Sequence, residues 1–225
     1  MWEICVLAPV RQVLLPSCPH STGGECVSSE IIQSIVVSVS AATASLCALA
    51  GLVTWRRETR WKDDREIARM VIRGTIAVRE AFKHVRNPVG NYYGPAPIDD
   101  DCPPDRLRYQ QLVHEYENRW KVMRDAFKDL EEAVVEAEVL WGKDIAELMT
   151  EVRLRRFDLQ WAIEKYTDQE KPNGRQLEDE EYRQVFGVMY FTRNDHFANE
   201  IDKALDSVAD IAKPRLLGPK WNEWY

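Results

Sequence analysis

An arginine and a later histidine with four to six residues between them form a spacing that can cleave RNA. The imidazole handles the 2′-hydroxyl proton while the guanidinium steadies the phosphate. Arg79 and His84 stand at such a spacing, and so do Arg108 and His114. With 20 arginines in 225 positions, each of the four histidines meets an arginine at an allowed offset by about one chance in four, so two matches carry little information. A zinc-protease helix needs two histidines four apart around a glutamate, and a carboxylate-bridged di-iron site needs Glu and His three apart on two helices. Neither spacing occurs around His20, His84, His114 or His196. Glu80 and His84, four apart, suit a surface pair better than a metal site. There is no phosphate-cradling glycine loop, nucleophile elbow, kinase signature or paired-cysteine zinc spacing. No cofactor is implied, and the chain reads as a non-enzyme.

The remaining side chains of interest suggest contact rather than reaction. Asp99-Asp100-Asp101 could hold a hard cation, but without the glycine and distal glutamate of a calcium loop it reads as a solvated turn. Tyr92-Tyr93 and the terminal Trp221, Trp224 and Tyr225 have the character of a docking patch. The same tail could instead cover an end of the fold or lie at a membrane interface near Trp55. The rings of Tyr109, Tyr116, Trp120, Phe127 and Trp141 recur at helical spacing and read as core, with His114 and Glu115 flanking them toward solvent.

What must position these residues is a bipartite chain. Its 225 residues are 45% apolar and 30% charged, with a net charge of −7, which argues against a general binder of DNA or RNA backbone. RNA is a partner only under the ribonuclease reading. Residues 31–55, from Ile31 to Trp55, contain no charge. As a helix at ~1.5 Å per residue they reach roughly 37 Å, enough to cross a hydrocarbon core of ~30 Å. Arg56, Arg57, Arg60, Lys62, Arg65 and Arg69 follow the run, whereas only Arg11 precedes it. That bias places the C-terminal side in the cytoplasm and the N-terminus outside an inner membrane. A cleaved signal peptide ending at Ala48-Leu49-Ala50 would need its basic residues before the apolar stretch, and they crowd the other end. Ser40, Ala44 and Ala48 could let two such helices approach, or merely dilute the span. Residues 1–30 hold Cys5, Cys18 and Cys26, an odd number for an oxidising compartment. A translation start near Val27 would leave a shorter external tail. Cys47 falls in the span, and Cys102 alone follows it, so no disulfide is expected there.

Beyond Asp63, apolar residues recur in steps of three and four. The first seam is Ile67, Val71, Gly74, Val78, Ala81 and Val85, closed by Asn87-Pro88. The second runs Tyr109, Leu112, Tyr116, Trp120, Met123, Phe127, Leu130, Val134, Ala137 and Trp141 without a miss. Gly142 offers a turn or a kink before Ile145, Leu148, Val152, Leu159, Ile163 and Tyr166, a seam interrupted by Arg155 and closed by Pro172-Asn173-Gly174. The last carries Phe197, Ile201, Ala204, Val208 and Ile211, with Asn194 or Asp195 as N-cap and Pro214 as stop. Residues 178–190 fit either a short helix or a strand. The expected fold is all-α: a transmembrane helix at 31–55, a cytoplasmic antiparallel bundle of long, coiled-coil-like helices at 56–216, and an aromatic tail at 217–225.

The stretch Arg79-Glu80-Ala81-Phe82-Lys83-His84-Val85-Arg86-Asn87-Pro88, a short distance after an apolar helix and Trp55-Arg56-Arg57, resembles a loose set of small bacterial single-span proteins of unknown function. Phe197, Glu200-Ile201, Ala204, Ile211 and Lys213-Pro214-Arg215-Leu216 are similar to their last helix. The resemblance covers the layout of residues 31–216 and implies an anchored helical domain with no activity attached. The functional expectation is a membrane-anchored scaffold that contacts lipid and binds a protein partner or itself. The alternative is an effector of a bacterial defence or toxin module, either membrane-disrupting or a ribonuclease of the HEPN type using Arg79, His84, Arg108 and His114.

Overall fold

The computed structural model describes residues 25–87, 93–97 and 102–217, with backbone alone for residues 25–30 and Asp105. Among them are five α-helices and no strands: α1 Glu25–Arg86, α2 Pro104–Trp141, α3 Asp144–Gln169, α4 Asp179–Met189 and α5 His196–Leu217. The chain divides into two units, Met1–Trp55 and Arg56–Tyr225.

The first unit is described as the apolar half of α1. It is the one helix long and apolar enough to cross a membrane among the described residues, and none of its most apolar window is buried. Its hydroxyls turn back on their own helix. Ser38 donates to the Ser34 carbonyl at 2.8 Å, Ser40 to Val36 at 2.9 Å, Thr43 to Val39 at 2.8 Å, Ser45 to Ala41 at 2.8 Å and Thr54 to Ala50 at 2.9 Å. These five hydroxyls are thereby satisfied without water.

The second unit is built on the seams. Val71, Val78, Ala81 and Val85 of α1 are buried, and so are Tyr116, Met123, Phe127, Leu130, Val134 and Ala137 of α2. A repeat of three and four keeps such residues on one stripe of a helix, and removing that stripe from water is what drives the helices together. Contacts between α1 and α2 run in opposite order along the chain: Asp64 meets Trp141, Gly74 meets Leu130, Phe82 meets Phe127 and Val85 meets Arg119. The two helices are therefore antiparallel. Arg153 with Glu131 and Arg108 with Glu170 give the same ordering for α2 and α3. Arg79 with Asp206 and Arg86 with Asp195 give it for α1 and α5.

The helix boundaries reflect local chemistry. Pro104 opens α2, where a missing N–H costs nothing. Gly142 ends it with φ 94°, a turn rather than a kink, its N–H donating 3.0 Å to Glu138. Residues 178–190 resolve as helix α4, because Asp179, Glu180 and Glu181 suit a helix N-terminus and Val185 and Met189 bury one face at a four-residue step. Asp195 is the N-cap of α5, its carboxylate accepting the Ala198 N–H at 2.9 Å. Pro214 does not stop α5, which runs to Leu217. Its ring removes one backbone donor, while Arg215 lies over the Trp141 ring and Leu216 packs on the core, so contacts hold the final turn.

Gly74 sets the spacing of α1 and α2: a Cβ there would stand 2.9 Å from Leu130 Cδ1 and 3.1 Å from Leu130 Cα. Gly74→Ala is expected to cost about 1–3 kcal/mol by overpacking. Gly187→Ala in α4, where an added Cβ meets nothing within 4 Å, is expected to stabilise by up to about 1 kcal/mol. Denaturant unfolding of the two variants measures both signs.

Candidate functional site

The residues singled out for RNA chemistry are held apart. On a continuous helix each residue advances about 100°, so positions five or six apart face different directions. Arg79 donates to Asp202 at 2.8 Å and Asp206 at 2.7 Å. His84 Nε2 lies 2.6 Å from the Tyr93 hydroxyl, and Glu80 pairs with Lys83 instead. Arg108 pairs with Glu170 at 2.9 Å, and His114 is 3.2 Å from the Asn118 amide. Neither arginine faces its histidine. Trp221, Trp224, Tyr225, Tyr92 and the run Asp99-Asp100-Asp101 lie outside the described residues. Among the described residues no group of three His, Cys, Asp or Glu is gathered that could hold a metal ion.

The buried chemistry lies elsewhere, on two arginines. Arg86 is 1% exposed and Arg119 3%. Arg119, on α2, donates to the carbonyls of Val85 at 3.1 Å and Asn87 at 2.5 Å and pairs with Glu115. Those carbonyls close α1, whose sequence turns to Asn87-Pro88 at this point, so the guanidinium caps a helix C-terminus that would otherwise be unsatisfied. Arg86 does the same for α4. It donates to the carbonyls of Val188 at 2.7 Å, Gly187 at 3.2 Å and Tyr190 at 3.0 Å, and to Asp195 at 2.9 Å. Phe191 and Phe197 flank it with ring centres 4.9 and 5.1 Å away. Glu115, expected at the solvent edge, is instead drawn inward by Arg119. The sequence carried a signal for this: Arg119 falls three residues after Tyr116 and four before Met123, on an otherwise apolar stripe.

Beside the arginines sits a group of phenols. The hydroxyls of Tyr116 and Tyr190 are 3.2 Å apart, and the Tyr166 ring meets the Tyr190 ring edge-on. Burial pushes the Tyr116 and Tyr166 phenols up to about 12. It raises that of Tyr190 as well.

The outer surface of α3 presents Leu154, Phe157 and Trp161 at one stripe, with Phe157 64% and Trp161 43% exposed. Leu154 and Phe157 line a cleft of about 410 Å³ against Glu131 of α2. Trp161 lines one of about 540 Å³ toward α4 and α5, with Val188 and Phe197. Large exposed rings beside concave surface are the usual material of a protein contact.

Arg86→Met is expected to lower the unfolding free energy by about 3–5 kcal/mol by stranding Asp195 and three carbonyls, and Arg86→Lys to recover little, since an ammonium lacks the planar fork. Denaturant unfolding reads both. The tyrosines make stability pH-dependent. Their folded values lie above the ordinary 10.0, so the stabilisation is intact below pH 10, the unfolded phenol value, and is lost as pH rises toward about 12. Phenolate absorbance and helical circular dichroism monitored through that window should change together.

Comparison with known proteins finds no match to a family model, a curated protein or a solved structure.

Proposed function

We propose that the chain is a single-span protein of the inner membrane, with a short tail outside and a cytoplasmic helical unit that binds another protein or a second copy of itself. One observation carries the reading: residues 31–55 expose their apolar side chains while the hydroxyls among them bond their own backbone. Water would penalise such a surface and lipid would not. The basic collar of Arg56, Arg57, Arg60 and Lys62 supports a cytoplasmic location for the residues after Trp55. The second unit is read as an antiparallel helical bundle with coiled-coil-like seams, its packed interior serving as a rigid support for the α3 stripe. The pairing of Arg79, His84, Arg108 and His114 lends no support to the ribonuclease alternative.

The full chain is expected to pellet with membranes and to resist extraction by salt and alkali, and a reporter fused at its C-terminus to be active in the cytoplasm. Recovery in the soluble fraction, or a periplasmic reporter signal, would overturn the proposal. Replacing Arg56, Arg57, Arg60 and Lys62 by Gln is expected to randomise orientation. Phe157→Ser is expected to abolish self-association or partner capture while leaving the melting temperature within a degree or two, since that side chain is already largely solvated.

A further inference from the structure

Away from the Arg119 clasp, three buried donors in the second unit find no acceptor among the described residues: Nε1 of Trp61 and Nε of Arg65 and Arg215. Two of them are adjacent on α1, and the third is linked to that stretch through Trp141 and Asp64. Trp61 and Arg65 lie one turn apart on α1, with the guanidinium 5.3 Å from the ring centre. Arg215, in the last turn of α5, lies 4.5 Å from the ring centre of Trp141. The Trp141 indole donates 3.0 Å to Asp64, the chain neighbour of Arg65. Two arginines thus each stack on a tryptophan, and the two stacks are joined through Asp64.

Three of the four carboxylates between Glu58 and Glu66 are engaged elsewhere. Glu58 pairs with Lys62 at 2.9 Å, Glu66 with Arg69 at 3.6 Å, and Asp64 accepts the Trp141 N–H. Stacking fixes the plane of a guanidinium and leaves its fork for a bidentate oxyanion, for which phosphate geometry is the natural match. A nucleic acid is disfavoured by a net charge of −7, since polyanion binding rests on a broad basic surface. Tryptophan beside arginine is instead the composition of a membrane interface, where the amphipathic ring sits at headgroup level. Trp61 also comes only six residues after Trp55, the end of the uncharged run.

We infer that Trp61, Arg65 and Arg215 form a site for the phosphodiester headgroup of an anionic lipid. Both guanidinium forks clasp the phosphate oxygens, the Trp61 indole donates to a third acceptor, and Trp141 holds Arg215 in place. The inference rests on the reading of α1 as a membrane span, but the two fail separately. Membrane pelleting reports the span, and lipid selectivity reports the site.

The test uses the full chain in nonionic detergent, titrated with short-chain phosphatidylglycerol, short-chain phosphatidylcholine or inorganic phosphate, with bound lipid counted by native mass spectrometry. Phosphatidylglycerol is expected to be retained at least about tenfold more tightly than phosphatidylcholine, with little competition from inorganic phosphate. Arg65→Gln with Arg215→Gln should erase that preference, whereas Lys213→Gln, whose ammonium pairs with Asp210, should keep it. Trp61→Phe retains the ring beneath Arg65 and removes only the N–H, so it should weaken phosphatidylglycerol retention even if the double variant does not fold. Equal retention of the two lipids, wild-type selectivity in either arginine or tryptophan variant, or displacement by inorganic phosphate as effective as by lipid would each overturn the inference.

Discussion

A helix that stops inside a protein leaves carbonyls with nothing to bond, and the second unit contains two such stops side by side. One is the end of α1 at Arg86, and the other is the end of α4 at Met189. Both ends are closed by guanidinium groups from neighbouring helices, Arg119 for the first and Arg86 for the second. Because Arg86 belongs to the last turn of α1, the helix that is capped also does the capping. Asp195 extends the chain of dependence, accepting from Arg86 with the same oxygen that caps α5. Arginine suits this position because one planar group serves several acceptors while its hydrocarbon stem packs among Phe191 and Phe197.

That arrangement also gives Val85, Arg86 and Asn87 a structural role. Val85 contributes a buried side chain and a capped carbonyl, Arg86 the clasp on α4, and Asn87 a second carbonyl for Arg119. A proline next in sequence disfavours helical backbone at the residue before it, which suits a helix that ends at Arg86. A short motif of this kind can serve folding alone, and nothing in its geometry requires a reaction.

The helical periodicities were legible because burial of one stripe is a one-dimensional signal. Every seam residue of α2, from Tyr109 to Trp141, is buried or partly buried. What escaped was information that needs three dimensions. Arg119 stands out only as a charge on an apolar stripe and Arg86 not even as that, until their carbonyl acceptors, more than thirty positions away in the chain, come into view. Pro214 looks like a terminator because the contacts that keep its helix going, through Arg215 to Trp141, are long-range. Residues 178–190 are ambiguous in sequence because a run of six with aromatic and β-branched members satisfies both periods, and packing of Val185 and Met189 decides between them. The arginine and histidine spacings are legible as text, but the partners these side chains meet, Asp202 and Asp206 for Arg79 and Tyr93 for His84, are set by contacts the spacing does not show.

The back-bonded hydroxyls of α1 bear on mechanics as well as solvation. A serine or threonine that shares the carbonyl four residues earlier slackens the backbone bond already made there and lets the helix curve slightly at that turn. Five such turns are spread between Ser38 and Thr54. A helix with that many soft joints bends more readily along its length than a leucine helix of equal size, which has none.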